Sequence, residues 1–287
     1  MTRKRITRPS HILKERRKKI FVKSLWVLFA LVVFLIALAL VSSIDSLVVK
    51  KVEVRGNEIV SEEDVSDAAF SVLSQNRFLI FAGENKFLYS KRALEEGIKK
   101  AIPRILSLSI VREGDKLLID ITERQRMYLW CGEEAPTRVI SGISRDCYFL
   151  DKSGFIFDSS PGFSPGVYFT FYSKLNNENP VGQYVLNFDL LKDVESLISG
   201  LKDLGLSAHS LVSKDDGQYE LLFDLAGRLP EYPKLLFVDD QSVDDIYNKI
   251  ASILDEDPFK KDFLEKPGKL EYIDARFKNR IFYKFAD

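Results

Sequence analysis

Between Lys23 and Asp45 the chain carries no charge at all, and Ser24 to Ile44 reads SLWVLFALVVFLIALALVSSI. At about 1.5 Å per residue a helix of that length covers about 31 Å, the hydrocarbon thickness of a bilayer. Inside lipid every backbone N–H and C=O must find its partner within the segment, so the run is expected to be a helix that crosses a membrane. A cleaved secretory signal is the alternative. The small pair Ala37 and Ala39 lies within the apolar run instead of after it, and the run exceeds the roughly 7–15 residues of a signal core, which favours an uncleaved anchor.

The charge balance gives this span a direction. Over all 287 residues the formal net charge is zero, yet Met1 to Lys23 holds ten Lys or Arg against the single acid Glu15, a net of +9 that leaves −9 for the remainder. Lys and Arg gathered beside a span hold that side in the cytoplasm. The expectation is a cytoplasmic N-terminus, a lipid-embedded segment from Ser24 to Ile44 and an extracytoplasmic C-terminal domain. Residues 1–23 combine one sign of charge with no apolar periodicity and are expected to be disordered. Nothing in them resembles a nucleic-acid reading module, so no nucleic-acid partner is expected.

Beyond the span the chain is globular in composition, with 46% hydrophobic and 29% charged residues. Its length suits two folded units. In the first, SLVVKKVEV from Ser46 to Val54 is rich in β-branched residues, with Val48, Val52 and Val54 on one face. Gly56-Asn57 turns the chain. Ser61 then caps a helix whose first turn is acidic and whose Val65, Ala68, Ala69, Val72 and Leu73 recur at helical spacing. A second helix starts near Ser90 and buries Leu94, Ile98, Ala101 and Ile102, with Glu95/Lys99 and Glu96/Lys100 as i,i+4 pairs, until Pro103 stops it. Two alternating segments follow, one lined by Leu106, Leu108 and Ile110, the other by Leu117, Ile119 and Ile121, joined at Arg112 to Asp115. The order is strand, helix, helix, strand, strand.

From about Arg126 onward strands alternate with two apolar helical stripes, one from Leu190 to Leu204 and one from Val243 to Ile253. Strands are expected at Met127 to Cys131, Cys147 to Leu150, Gly154 to Phe157, Gly166 to Tyr172 and Ala208 to Val212. Four more are expected at Tyr219 to Asp224, Leu235 to Val238, Leu270 to Phe277 and Asn279 to Phe285. Asp215-Asp216-Gly217 reads as a hairpin turn and Ser159 to Gly166 as a loop. Helices on a mostly antiparallel sheet make an α+β unit.

With its opening VKKVEVRGNEIVSEEDV and its IPRILSLSIVREGDKLLIDITER close, the first unit after an N-in anchor resembles the FtsQ/DivIB family of bacterial cell-division proteins. CYFLDKSGFIF from Cys147 to Phe157 is similar to that family's aromatic hairpin, and YIDARF from Tyr272 to Phe277 to its terminal Asp-Leu-Arg-aromatic motif, with Ala275 in the Leu position. Departing from the family pattern, Pro230 and Pro233 interrupt AGRLPEYPKLLFVDD, which leaves the strand pairing there open. The resemblance implies a disordered tail over 1–23, a transmembrane helix over 24–44, a POTRA-like domain over 46–124 and an FtsQ-like β domain over 125–287. It further implies a non-catalytic scaffold at the division septum of the cell membrane that binds FtsB- or DivIC-like and FtsL-like coiled coils.

Chemistry offers little against this. His11 and His209 are the only histidines, so neither a His-based metal cluster nor a conventional hydrolase triad is expected. No Walker A, nucleophile elbow or dinucleotide loop occurs, and no cofactor is expected. The acid pairs Asp215-Asp216, Asp239-Asp240 and Asp244-Asp245 fall at turns or helix starts, where short acids cap backbone N–H groups. Two other classes stay open: a POTRA-containing component of protein transport or outer-membrane assembly, and a membrane-anchored cell-wall enzyme. Tandem POTRA repeats and barrel-length alternation would mark the first, a nucleophile beside a base the second.

Cys131 and Cys147, the only cysteines, both fall outside the membrane on this topology. In an oxidising compartment a bridge across Gly132 to Asp146 is expected, at a stabilisation of about 3 kcal/mol. The last strand is expected to be a sheet edge, open to strand addition. Carried over from the family, the partner-binding positions are Arg276, Phe277, Asn279, Arg280, Ile281, Tyr283 and Phe285, with Phe277 and Phe285 as apolar anchors. Lys278, Arg280 and Lys284 would make that edge basic.

Overall fold

The computed structural model describes residues 10–42, 49–74, 90–137, 146–162, 166–225 and 229–287. Residues 1–9 of the expected tail, Ser43 and Ile44 of the expected span, and the start of the first strand with Val48 lie outside these ranges.

Helix α1 runs from Ser10 to Ser42. Within it Arg16–Ala37 is long and apolar enough to cross a membrane. The helix reaches further toward the N-terminus than expected: residues 10–23, taken from composition as disordered, are helical. Leu, Lys, Glu and Arg dominate residues 13–19, all strong helix formers. They extend a helix that the apolar run has already nucleated, which is far easier than starting one.

The chain divides into two compact units, the first ending at Glu123 and the second beginning at Arg124. The first has β1 (Lys51–Arg55), α2 (Glu62–Leu73), α3 (Lys91–Ala101), β2 (Ile105–Glu113) and β3 (Lys116–Glu123). Its sheet has the order β1-β3-β2, with β1 parallel and β2 antiparallel to β3. Ser61 Oγ accepts from the Asp64 N–H at 3.0 Å and Ser90 Oγ from the Ala93 N–H at 3.3 Å, so both helices start at the expected caps. Val52, Val54, Val65, Ala69, Leu94, Ile98, Leu117, Ile119 and Ile121 close the core. Gly56 has φ 77°, and a Cβ there would meet the Ile121 carbonyl oxygen at 2.4 Å, so the turn needs glycine for both space and backbone.

Three details differ from the sequence reading. Leu106 is 40% exposed, because the register of β2 against β3 shifts between Ile105 and Ser107 and turns Ile105 inward in its place. Ala101, the last residue of α3, is exposed. Glu95 and Glu96 reach back to Lys91 and Arg92, at 4.0 and 2.8 Å, instead of forward to Lys99 and Lys100.

Among the described residues, the second unit is a nine-stranded, mostly antiparallel sheet packed with three α-helices. Its strands are β4 (Tyr128–Trp130), β5 (Cys147–Leu150), β6 (Ile156–Ser160), β7 (Thr170–Tyr172), β8 (Ala208–Ser213), β9 (Gln218–Phe223), β10 (Lys234–Val238), β11 (Leu270–Asp274) and β12 (Phe282–Phe285). The helices are α4 (Phe188–Asp203), α5 (Val243–Asp255) and α6 (Phe259–Glu265). The strand order is β12-β11-β10-β9-β8-β7-β4-β5-β6.

Alternation along the strands separates two cores. Leu211, Leu221, Phe223, Leu235 and Ile273 face Leu191, Leu197, Leu201, Ile246, Ile250 and Phe259 of the helices. Leu129, Phe149, Phe157, Tyr172, Val212 and Leu222 form a smaller cluster on the other face. Helix α6 was not foreseen, since seven residues with a single buried side chain, Phe259, show no periodicity. The pairing left open by Pro230 and Pro233 is now defined. Both prolines precede β10, which pairs antiparallel with β9 and parallel with β11, and the Pro233 carbonyl accepts from the Phe223 N–H at 2.9 Å.

Where the units meet in sequence, the side chains part. Glu123 Oε1 accepts from three successive N–H groups, those of Glu58, Ile59 and Val60, at 2.8, 2.9 and 2.9 Å. Burial would raise this carboxyl, but the three N–H bonds and Arg104 outweigh it and hold it below the usual carboxylate range. Arg124 instead pairs with Asp151 of the second unit and lies 4.1 Å from the centre of the Phe155 ring. The unit boundary therefore lies one residue earlier than the sequence division after Arg124.

Candidate functional site: the terminal sheet edge

Strand β12 pairs antiparallel with β11 on one side, with Leu270 opposite Phe285 and Asp274 opposite Phe282. Among the described strands nothing pairs with its other side. An edge of this kind presents alternate backbone N–H and C=O groups outward, as a template for another strand.

Alternation decides which side chains an incoming chain would meet. Ile281, Tyr283 and Phe285 turn toward the core. Tyr283 and Phe285 pack on the fully buried Phe259, with ring centres 4.7 and 5.4 Å away. Phe282 is 47% and Phe277 50% exposed, and the two rings meet edge to face at 5.2 Å. Of the two expected anchors, Phe277 faces outward, whereas the half-buried Phe285 turns inward against Phe259; Phe282 is the exposed ring of the strand. The period-two rule applied strictly from Tyr283 would have given Phe282.

The connection between the two strands, residues 275–281, is wider than the sequence suggested, since β11 stops at Asp274 and β12 begins only at Phe282. Asp274 and Arg276 explain the stop. The buried Asp274 carboxylate takes Arg276 Nε at 2.9 Å and Nη2 at 2.6 Å, plus the Arg276 backbone N–H at 3.2 Å, which curls the chain out of the strand. Arg276 Nη1 also donates to Gln218 Oε1 at 2.8 Å, tying the curl to β9. Burial works to raise the Asp274 carboxyl, and the Arg276 bonds and charge more than cancel it, holding it below the ordinary range. The Arg276 guanidinium therefore makes three bonds within its own chain and shapes the edge from behind.

The next three carbonyls are gripped from α5 and the turn before it. Lys249 Nζ donates to the carbonyl of Phe277 at 2.9 Å and lies 3.4 Å from that of Ala275. Gln241 Nε2 bonds the Arg276 carbonyl between them at 2.7 Å, and Gln241 Oε1 accepts from Lys249 at 3.0 Å. Nothing in the sequence marked Lys249 or Gln241, because their partners lie 26 to 35 residues away. Outside the grip, Lys278, Asn279 and Arg280 are exposed. Asn279 and Lys278 border an open cleft of about 600 Å³ against Asp240, Asp245 and Asn248. Lys284 meets Glu271 at 2.7 Å across the hairpin, so the basic character of the edge rests on Lys278 and Arg280.

Elsewhere in this unit, Cys131 and Cys147 are joined in a disulfide, with an S–S distance of 2.00 Å and Cα atoms 4.3 Å apart. It ties the end of β4 to the start of β5. Among the described residues no group of three or more His, Cys, Asp or Glu could hold a metal ion. His209 sits in β8 with Nδ1 2.9 Å from Ser210 Oγ and its ring against Tyr232. Of the acid pairs, Asp244 and Asp245 occupy the first turn of α5, whose cap is Ser242, and Asp239 closes on the Gly217 turn. The β12 edge combines open backbone, exposed apolar rings and cations. Compared with models of known protein families and with curated proteins, the chain matches none.

Proposed function

We propose that this chain is a membrane-anchored scaffold of the bacterial division machinery. On this reading α1 crosses the cell membrane with its basic end in the cytoplasm, and the two units act outside it without catalysing a reaction. The first unit would be a POTRA-type module and the second the family's β domain, gathering FtsB- or DivIC-like and FtsL-like coiled-coil proteins at the septum. The observation that carries the reading is the β12 edge: a strand with one open side, two outward aromatic rings and a neighbouring pair of cations. Strand addition there would draw affinity from main-chain bonds and selectivity from Phe277, Phe282 and the charge of Lys278 and Arg280. The strand-helix-helix-strand-strand order of the first unit supports it as well.

A fluorescent protein fused to the N-terminus should form a mid-cell band, and membranes solubilised from the same cells should yield small single-pass coiled-coil proteins with the chain. Phe277→Ala combined with Phe282→Ala, which leaves the core untouched, should deplete those proteins. Uniform membrane fluorescence with no such proteins recovered would favour the transport or cell-wall-enzyme classes and end this reading.

A further inference from the structure

Orientation by the positive-inside rule depends on how many cations flank a span, not on how they are arranged. In α1 they are arranged. Arg16, Arg17, Lys18, Lys19 and Lys23 are all exposed and all belong to the same unbroken helix as the apolar run. Successive residues turn by about 100°, so the first four point in four different directions and Lys23 returns close to the direction of Arg16. No Asp or Glu occurs from Arg16 through Ile44. The charge surrounds the helix.

Height along the axis fixes what such a ring can touch. At about 1.5 Å per residue, Lys19 stands about 7.5 Å and Arg16 about 12 Å beyond Ser24, where the uncharged run begins. A bilayer of about 40–45 Å with a hydrocarbon core of about 30 Å leaves about 5–7.5 Å of headgroups on each side. Long Lys and Arg side chains close that difference by reaching down along their stems. Ile20, Phe21 and Val22 fill the intervening turn, and exposed Trp26 sits just inside the run, at the depth where aromatic side chains favour the interface.

We infer that residues 16–23 of α1 form a cationic collar that holds anionic lipid headgroups around the helix in the leaflet it enters. A helix lying in the membrane plane would need its charges on one face and its apolar residues on the other, and residues 16–23 have no such division. Nucleic acid is disfavoured by position, since the cations stand within about 12 Å of the hydrocarbon edge, on a surface that is itself negative. The inference rests on α1 crossing a bilayer, and is independent of what the β12 edge binds.

The test uses the full chain in vesicles of phosphatidylcholine containing a minority of phosphatidylglycerol. Spin-labelled versions of the two lipids report their relative affinity for the protein surface. Phosphatidylglycerol should be preferred, and the preference should weaken as salt is raised. In the variant carrying Arg16→Gln, Arg17→Gln, Lys18→Gln and Lys19→Gln the preference should be lost. Arg3, Lys4, Arg5, Arg8, Lys14 and Lys23 remain in that variant to hold the orientation. Equal preference in the native chain and the variant, or none in the native chain, overturns the collar. Alkaline carbonate extraction separates the two levels: a native chain released from the vesicles overturns the anchor and the collar together.

Discussion

The ammonium of Lys249 lies 2.9 Å from the carbonyl oxygen of Phe277, so the middle of α5 fixes the residue from which the terminal hairpin opens its outer face. With the Gln241 bond to Arg276, this grip replaces the strand ladder that ends at Asp274. Lys249→Met keeps the aliphatic stem and removes the donor. It should cost about 1–2 kcal/mol of stability and speed amide hydrogen exchange in residues 277–281 far more than in β9 or β10. Unchanged exchange in that stretch would show that the loop holds its shape without the lysine.

Phe285 and Phe282 differ by three residues and by role. Phe285→Ala removes a ring packed on Phe259 and should destabilise the second unit by about 2–3 kcal/mol. Phe282→Ala removes an outward ring and should stay within about 0.5 kcal/mol of the native chain in denaturant unfolding. Partner recovery should respond in the opposite sense, falling with Phe282→Ala at full stability. Equal destabilisation by the two substitutions would show that Phe282 also belongs to the core.

Asp151 gives the second unit an acid-sensitive joint. Its carboxylate is almost completely buried and accepts from Ser153 N–H at 2.8 Å, Ser153 Oγ at 2.6 Å, Phe155 N–H at 3.2 Å and Arg124. Burial pushes this carboxyl up, but the Ser153, Arg124 and Phe155 bonds together hold it below its ordinary value. A depressed carboxyl contributes its stability above the unfolded value, about 3.9, and loses it as pH falls through the lower folded value. Asp151→Asn should therefore cost about 3 kcal/mol near pH 7, with the gap to the native chain closing in acid. A gap that stays constant down to pH 2 would refute the assignment.

The bridge between Cys131 and Cys147 closes a loop of 16 residues in sequence separation. Replacing both by Ser should lower stability by about 3 kcal/mol. Intact-mass measurement of the unreduced protein should find it two hydrogens lighter than the reduced form. Ready alkylation without reductant would mean that the thiols are free in the native protein.

The local signals in the sequence were strong where one element makes its own case. Ser61 and Ser90 announce their helices because the cap bond spans three residues, and Leu117, Ile119 and Ile121 announce a buried face because alternation needs no partner to be visible. Leu106 misled because a bulge shifts the phase, and a bulge is set by the neighbouring strand. At the edge, the aromatic content and the Asp274-Ala275-Arg276-Phe277 run drew attention to the hairpin that ends the sheet. What could not be read was the division of labour within it. That Arg276 is occupied by Asp274 and Gln218, or that Lys249 and Gln241 hold the carbonyls beyond, depends on chain segments brought together only by the nine-stranded sheet.

Glu123 binds three N–H groups of the first unit and Arg124 answers a buried carboxylate of the second, with one peptide bond between them. For anyone preparing the units as separate recombinant fragments, this leaves a single clean place to cut. A second-unit fragment starting even one residue later would strand Asp151 without its cation, and a first-unit fragment ending one residue earlier would release the 58–60 backbone from its only carboxylate acceptor among the bonds described. Such a fragment could fail to fold for reasons unrelated to its partner unit, and its failure would be mistaken for interdependence.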